Sequence, residues 1–193
     1  MSAVSVKIYD TPPISEKEIL RYAGGGSEKA ELLLHRVLDE AKDAFSYKVC
    51  YTVCDVAVTD GRVDFGFFKA ESAALAKNLG GVRKAIVFAA TAGFEIDRLI
   101  MKYSRISPSR ALMLDALGTE RIEALCDAFS EDMKSLFGRL RPRFSAGYGD
   151  LSIELQREIF KLLNPYSKIG LTLTDSMLMS PTKSVTAFIG IEE

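Results

Sequence analysis

The sequence feature that most restricts the fold is a nearly continuous apolar run from Lys84 to Ala90. Gly80-Gly81 precedes this run and Thr91-Ala92-Gly93 follows it, so it predicts a short strand buried on both faces. The turn after the strand leads into a helical pattern that carries Glu95, and its backbone N–H groups form a candidate ligand wall. The remaining chain must supply the layers that cover this strand.

Helix starts are marked by capping residues near the N-terminus. Ser15, with Glu18 three positions later, is a capping box, and Ser27 begins a second helix with apolar residues at three- and four-residue steps. Gly24-Gly25-Gly26 separates the two. It has no preceding strand and no Gly-Lys-Ser/Thr ending, which favours a hinge or helix stop over a phosphate-binding loop.

Two more helices are predicted in the second half of the chain. Ser107-Pro108 is a favourable start for a long amphipathic helix, with an expected break near Gly118. A further helical pattern begins near Leu151 and ends at Asn164-Pro165. Both are long enough to cover a sheet.

Strands are predicted on both sides of these helices. Residues 4–9 alternate loosely, residues 47–68 read as a β-hairpin with a turn at Asp60-Gly61, and residues 168–174 and 184–191 read as strands. The predicted fold class is α+β, with long helices on an antiparallel or mixed sheet. We expect one domain over residues 1–193.

Composition excludes several classes of function. The chain has 193 residues, 48% of them hydrophobic and 26% charged, with a net charge of −1. This balance gives no broad basic surface for nucleic acid or an anionic membrane. No apolar run is long enough to span a bilayer, and the N-terminus lacks a secretory pattern, so we expect a cytoplasmic protein.

The cysteine and histidine content argues against a zinc site. A structural zinc needs four nitrogen or sulfur ligands, so a site here would have to use all three cysteines together with the single His35, and we expect none. Cys50 and Cys54 lie four apart in a predicted strand, too far for an ordinary disulfide, so we expect buried free thiols. His35 is interpreted as a boundary residue of its helix.

The segment from Arg143 to Asp150 holds the residues best suited to bind a ligand. Arg143 can donate two parallel N–H bonds to a carboxylate or phosphate, Gly147 allows close approach to the main chain, and Tyr148 offers a ring and a hydroxyl. These groups suit a small zwitterionic or anionic ligand. The alternative is a surface turn with a solvated cation, and a solvated helix end is the interpretation for Arg139 and Arg141.

The order of motifs in the C-terminal half resembles the activation domain of cobalamin-dependent methionine synthase. The family pattern is Arg-Pro-x-Pro-Gly-Tyr, a helix, a strand leading to Thr-Glu-Ser-x-x-Met-x-Pro, and a strand that opens with Ser-Val. The chain has Arg143-Phe144-Ser145-Ala146-Gly147-Tyr148, a helix, Thr174-Asp175-Ser176 followed by Met179 and Pro181, and then Ser184-Val185. The resemblance is clearest over about 84–193 and is to short, free-standing relatives.

The resemblance implies binding of S-adenosylmethionine, which remethylates the oxidised cobalamin of methionine synthase after reduction. Arg143 would hold the ligand carboxylate, and Tyr148 would lie near the cobalt as the residue closest to the chemistry. Glu123 would face the amino group. The implied ligand-binding residues are Arg143, Ser145, Ala146, Gly147, Tyr148, Glu123 and Asp175.

Departures from the pattern affect the same loop. Phe144 and Ala146 replace both family prolines, and Asp175 replaces a glutamate with a shorter arm. With no cobalamin-binding module on the chain, the resemblance implies action on another polypeptide. That polypeptide would be a cobalamin-dependent methionine synthase or corrinoid protein without its own activation domain, supplied with electrons by a flavodoxin-type donor.

Two other interpretations stay open. The chain could be a non-catalytic subunit that docks on a cobalamin-dependent methyltransferase. It could also be a small-molecule-binding domain that kept the fold and changed its ligand.

Overall fold

The computed structural model describes residues 3–192. The predicted lack of a secretory pattern therefore falls partly outside the described residues, at Met1 and Ser2. The strands are β1 (Ser5–Tyr9), β2 (Tyr47–Asp55), β3 (Ala57–Thr59), β4 (Arg62–Asp64), β5 (Lys69–Glu71), β6 (Lys84–Thr91), β7 (Thr172–Leu173), β8 (Met179–Ser180) and β9 (Ser184–Ile191). The helices are α1 (Glu16–Tyr22), α2 (Glu28–Ala41), α3 (Ala73–Asn78), α4 (Glu95–Ser104), α5 (Pro108–Phe137), α6 (Gln156–Leu163) and α7 (Pro165–Ile169), with a 3-10 turn at Ile153–Leu155.

The main sheet has the strand order β1-β2-β6-β9, and each pair in it is antiparallel. The apolar run seen in the sequence forms the central strand β6, in which Ala85 to Thr91 are all buried. Strand β9 pairs with β6 from Thr91 opposite Ser184 to Lys84 opposite Ile191. The predicted buried strand and the α+β class are confirmed, and the sheet is antiparallel.

Helical layers cover both faces of this sheet. Helix α5 packs on one face through a cluster that includes Leu125, Phe129 and Met133. The small sheet β3-β4-β5 and helices α3, α6 and α7 cover the other face. Helices α1, α2 and α4 pack on the first half of α5, where Leu114 and Leu117 are buried. Helix α5 therefore contacts the main sheet as well as helices α1, α2 and α4.

A buried ion pair fastens the connection between β1 and α1 to helix α5. The side chain of Arg121 is 1% exposed, and its Nε lies 2.6 Å from Glu120 Oε2. The same guanidinium donates to the carbonyls of Pro12 and Pro13 at 2.6 and 2.7 Å. Glu120 Oε1 in turn accepts the N–H of Ser15 at 2.9 Å. These bonds satisfy a charge pair that burial would otherwise make costly.

Two sequence predictions about α5 and the C-terminal segment were wrong. Helix α5 continues through Gly118, where a Cβ would lie 2.9 Å from the Lys183 side chain that crosses it, so the glycine makes room for a neighbour. Residues 168–174 are not one strand. Helix α7 occupies Pro165–Ile169, started by its proline and ended by Gly170 at a φ of +74°, and only Thr172–Leu173 are extended.

Several other predictions concern helix caps, a turn and the cysteines. Ser15 and Ser27 cap α1 and α2 through their hydroxyls, and the predicted turn at Asp60-Gly61 joins β3 to β4. The prediction of one hairpin over residues 47–68 was wrong, because β2 pairs with β1 and β6 in the main sheet and only β3 and β4 pair across the turn. The three cysteines are free thiols, and Cys50 is buried as predicted, whereas Cys54 is half-buried. Within residues 3–192, the helices all fall short of the length and apolar character needed to cross a membrane.

Candidate functional site

The segment that carries Arg143 runs along β9 as an additional edge. Arg141 donates its N–H to the carbonyl of Gly190 at 2.9 Å, and Phe144 exchanges backbone bonds with Phe188 at 3.0 and 2.8 Å. Phe144 packs into the core on the α6 side of the sheet. Because side chains alternate along extended backbone, Arg143 faces the opposite side, toward α5.

Arg143 lies between two carboxylates of α5. Its Nη2 is 3.0 Å from Glu123 Oε2, and its Nη1 is 2.9 Å from Asp127 Oδ1. Glu123 and Asp127 are four residues apart, so they share one face of the helix. The contact with Glu123 is a hydrogen bond, whereas Nη1 is buried and, among residues 3–192, has no partner of hydrogen-bond geometry. One cation and two carboxylates leave this cluster with a formal charge of −1.

The arginines beside it belong to the same edge segment. Helix α5 ends at Phe137, before them. Arg139 and Arg141 both form ion pairs with Glu192, and Arg141 also donates to the carbonyl of Gly80. The interpretation of these two as part of a helix end was wrong, because the chain has already turned at Gly138 and paired with β9, but the Arg139 side chain is solvated as expected, with 89% of it exposed.

The turn after Arg143 has a defined conformation. Tyr148 donates its N–H to the carbonyl of Ser145 at 3.2 Å, and Gly147 donates to Leu151 at 2.9 Å. Gly147 has a φ of +86°, and a Cβ there would lie 2.8 Å from Ile153 Cδ1. The fold itself therefore requires glycine at this position, in addition to any role in ligand approach.

Two side chains of this turn have contrasting exposure. Ala146 is buried in the core, while Tyr148 is 70% exposed. The Tyr148 ring meets the Phe144 ring edge to face, with centroids 5.6 Å apart. Phe144, which stands where the family has proline, thus packs against the exposed ring of Tyr148.

Asp150 anchors the far end of the turn to helix α3. Its carboxylate accepts a short hydrogen bond from the Ser72 hydroxyl and the N–H groups of Ala73 and Ala74 at 2.7 and 3.2 Å. The Ser72 bond, followed by these backbone bonds, lowers the pKa of Asp150 below its ordinary value. Asp150 acts as a helix cap that fixes the loop, a role its sequence context did not reveal.

The remaining sequence candidates lie in other contacts. Asp175 is exposed in the turn between β7 and β8, where its backbone carbonyl accepts a bond from Arg157 Nη2 at 3.0 Å. At the turn after β6, Ala92 donates to the carbonyl of Lys183 at 2.9 Å and Gly93 to the Thr91 hydroxyl at 3.2 Å. The expectation that this turn offers free N–H groups is wrong for both, because the chain itself uses them.

A depression of about 510 Å³ lies beside Glu123 and Asp127, between α5 and the segment that the Arg121 pair holds in place. Carboxylates dominate its polar lining, and Tyr22 adds an aromatic ring. Such a surface favours a cationic group over a phosphate. Its lining residues are Pro12, Pro13, Ser15, Glu18, Tyr22, Glu120, Glu123, Ala124, Asp127, Ala128 and Glu131.

Sequence reasoning missed Asp127 as the second partner of Arg143. The signal was present, because Asp127 lies one helical turn after Glu123 on a predicted helix. The part of the depression formed by Pro12, Pro13 and Ser15 could not be predicted in this way, because the tertiary contacts of Arg121 bring this segment to α5.

Comparisons with known proteins agree with the resemblance inferred from the motifs. Residues 140–193 match the family described as the activation domain of vitamin B12 dependent methionine synthase. No curated protein matches the sequence. A crystal structure of the MetH reactivation domain bound to AdoHcy superposes with a TM-score of 0.73 at 14% identity, over 99% of this chain and 79% of that one. The chain therefore has the fold of this reactivation domain, and its residues 140–193 carry the sequence pattern of the activation-domain family.

Proposed function

We propose that this chain binds S-adenosylmethionine beside Arg143 and supports reductive remethylation of cobalamin in a separate methionine synthase polypeptide. The observation that carries the proposal is the position of Arg143, held between Glu123 and Asp127 next to the Gly147-Tyr148 turn. The match of residues 140–193 to the activation-domain family supports it. The reactivation domain that shares this fold was solved with AdoHcy bound. This also supports the proposal, because AdoHcy is the demethylated form of the proposed ligand.

The charges of the site suit both ends of this ligand. The ammonium and sulfonium groups would lie toward Glu123 and the acidic depression, where the formal charge is negative. The ligand carboxylate would take the place of Asp127 at Arg143 Nη1, which has no hydrogen-bond partner in the described chain. Asp127 is 73% exposed at its side chain and is therefore free to move aside.

The chain would position the methyl donor and would not itself supply a reacting group. The cobalamin of the partner, reduced with an electron from a flavodoxin-type donor, would supply the nucleophile that accepts the methyl group. Arg143 and Glu123 would hold the methyl donor in one orientation, and holding reactants in line accounts for much of the rate in such transfers. Tyr148 projects from the turn at the edge of the site, where it would border the approaching cofactor and exclude water.

A second candidate is a docking subunit that binds no ligand. It is favoured by the ion pairs themselves, because both terminal nitrogens of Arg143 already face carboxylates. It is also favoured by the exposed ring of Tyr148, which is 70% accessible and could contact a partner directly. Ligand binding separates the two candidates.

The test is calorimetric titration with S-adenosylmethionine of the wild type, Arg143→Ala and Arg139→Ala. Arg139 is the matched control, since it lies in the same segment and loses the same charge, but it is 89% exposed and pairs with Glu192. We expect the wild type and Arg139→Ala to bind alike, and Arg143→Ala to bind at least about tenfold more weakly, as loss of a charged hydrogen bond predicts.

Glu123→Gln provides a second readout. It keeps the hydrogen-bond acceptor for Arg143 but removes the charge that would face the ligand cations, so it should weaken S-adenosylmethionine binding. Absence of wild-type binding would reject the proposal in favour of the docking subunit. Equal losses in Arg143→Ala and Arg139→Ala would reject Arg143 as the site.

A further inference from the structure

An apolar groove lies between α2, the start of α5 and the glycine turn after α1. It has a volume of about 580 Å³. It is well removed from Arg143, since Met113 and Glu123 are about 15 Å apart along α5. Its lining residues are Ala23, Gly25, Lys29, Ala30, Leu32, Leu33, Arg36, Ser109, Leu112 and Met113.

The apolar residues of the groove are unusually exposed. Leu32 on α2 is 57% exposed and Leu112 on α5 is 54% exposed, so a leucine stands on each wall. Nearby, Ile106 is also 69% exposed. Single exposed leucines are ordinary, but a leucine on each wall of one groove is typical of an interaction surface.

The charges at the groove have one sign. Lys29 and Arg36 both line it, and its lining within the described part of the chain includes no carboxylate. Neither cation has an ion-pair partner within residues 3–192. They are seven residues apart on α2, which places them about 10 Å apart along the helix axis, with Leu32 and Leu33 between them in the sequence.

The glycine turn leaves one end of the groove open. Gly24 and Gly25 have φ values of +96° and +119°, and a Cβ at either would meet no atom within 4 Å. The triple glycine allows the chain to turn between α1 and α2. It also leaves this end of the groove free of side chains. The helix stop was predicted from the sequence, and Gly25 donates its N–H to the carbonyl of Leu20 at the end of α1.

We propose that this groove binds an acidic amphipathic helix of a partner protein. Apolar side chains on one face of such a helix would cover Leu32 and Leu112. Two carboxylates two turns apart on the same helix would match the spacing of Lys29 and Arg36. The absence of any acidic lining makes a second copy of this groove a poor partner, because the like charges of two copies would repel. The inference stands independently of the proposed S-adenosylmethionine site.

The test uses a fluorescein-labelled helical peptide of about five turns. It carries leucines at helical i, i+3, i+4 and i+7 spacing and two glutamates seven residues apart beside them. Two companion peptides replace the glutamates with lysines or the leucines with serines. Anisotropy titrations of the full chain measure binding, and we expect only the peptide with leucines and glutamates to bind the wild type.

Protein variants locate the contact. The double variant Lys29→Glu, Arg36→Glu should bind the glutamate peptide about tenfold more weakly than the wild type does. It should bind the lysine peptide instead. Lys77→Glu combined with Lys168→Glu makes the same charge change at exposed positions on α3 and α7, and it should leave glutamate-peptide binding unchanged. Leu112→Ser should weaken both the wild-type and the charge-reversed interactions.

Several results would overturn the proposal. One is equal binding of the glutamate and lysine peptides by the wild type, and another is failure of the charge reversal to restore binding. Concentration-dependent dimerisation of the wild type that Leu112→Ser abolishes would assign the groove to a second copy. S-adenosylmethionine titrations of the same variants report on the other site, so failure of one proposal is distinguishable from failure of the other.

Discussion

Replacing Arg121 by methionine should destabilise the protein far more than the same change at Arg143. Arg121→Met removes a guanidinium that is 1% exposed and leaves Glu120, itself buried, without its countercharge. Breaking a buried pair by removing one partner costs about 3–5 kcal/mol. The carbonyls of Pro12 and Pro13 also lose their donor, which adds to the cost.

Arg143→Met is the matched control for this measurement. It removes the same type of side chain, but its partners Glu123 and Asp127 are 45% and 73% exposed. Exposed pairs contribute at most about 1 kcal/mol. Urea unfolding followed by circular dichroism should therefore separate the two variants by at least about 2 kcal/mol.

A third variant tests the physical reason. Glu120→Gln combined with Arg121→Met leaves no buried charge, so it should recover part of the stability lost in Arg121→Met alone. Equal unfolding free energies for Arg121→Met and Arg143→Met would refute the assignment of Arg121 as the buried residue that holds the Pro12-Pro13 segment to α5. A double variant less stable than Arg121→Met would refute the explanation by unpaired charge.

Three further predictions concern the loop, the pH dependence and the thiols. Gly147→Ala should cost about 1–2 kcal/mol in urea unfolding because its φ is +86°, and adding Ile153→Val should recover the steric part of that loss; an unchanged midpoint would contradict it. The bonds from Ser72 and from the N–H groups of α3 lower the folded-state pKa of Asp150 below its unfolded value, so its stabilisation is present above about pH 4 and is lost as the pH falls through the folded pKa. Asp150→Asn should therefore show a weaker loss of stability on acidification than the wild type, and parallel curves would contradict it. Burial raises the pKa of all three cysteine thiols to about 12, so they should react slowly with a disulfide reagent in the native protein and rapidly in urea; a fast native thiol would contradict it.

The elements with strong local signals could be predicted from the sequence. The apolar run of β6, the serine caps of α1 and α2 and the Asp60-Gly61 turn each follow from residues close together in the chain. Residues 168–174 could not be assigned correctly in this way. Their alternation suited a strand, but Pro165 and Gly170 delimit a short helix that packs on the sheet.

The site was only partly accessible to the same reasoning. The motif pattern led to Arg143 and Glu123, which the fold brings to 3.0 Å from each other. The role of Arg121 could not be predicted, because hydropathy places an arginine on the surface, whereas tertiary contacts with the Pro12 and Pro13 carbonyls, together with Glu120, account for its burial. The edge pairing of the segment before Arg143 depends equally on a distant strand, β9.

The most direct test of the account is methyl transfer in trans. The chain would be mixed with a cobalamin-loaded methionine synthase truncated before its activation domain, a reductant and S-adenosylmethionine labelled in its methyl group. We predict that label reaches the cobalamin of the synthase only when the chain is present, that Arg139→Ala supports the transfer and that Arg143→Ala does not. Transfer that is equally fast without the chain, or with Arg143→Ala, would contradict the proposed function.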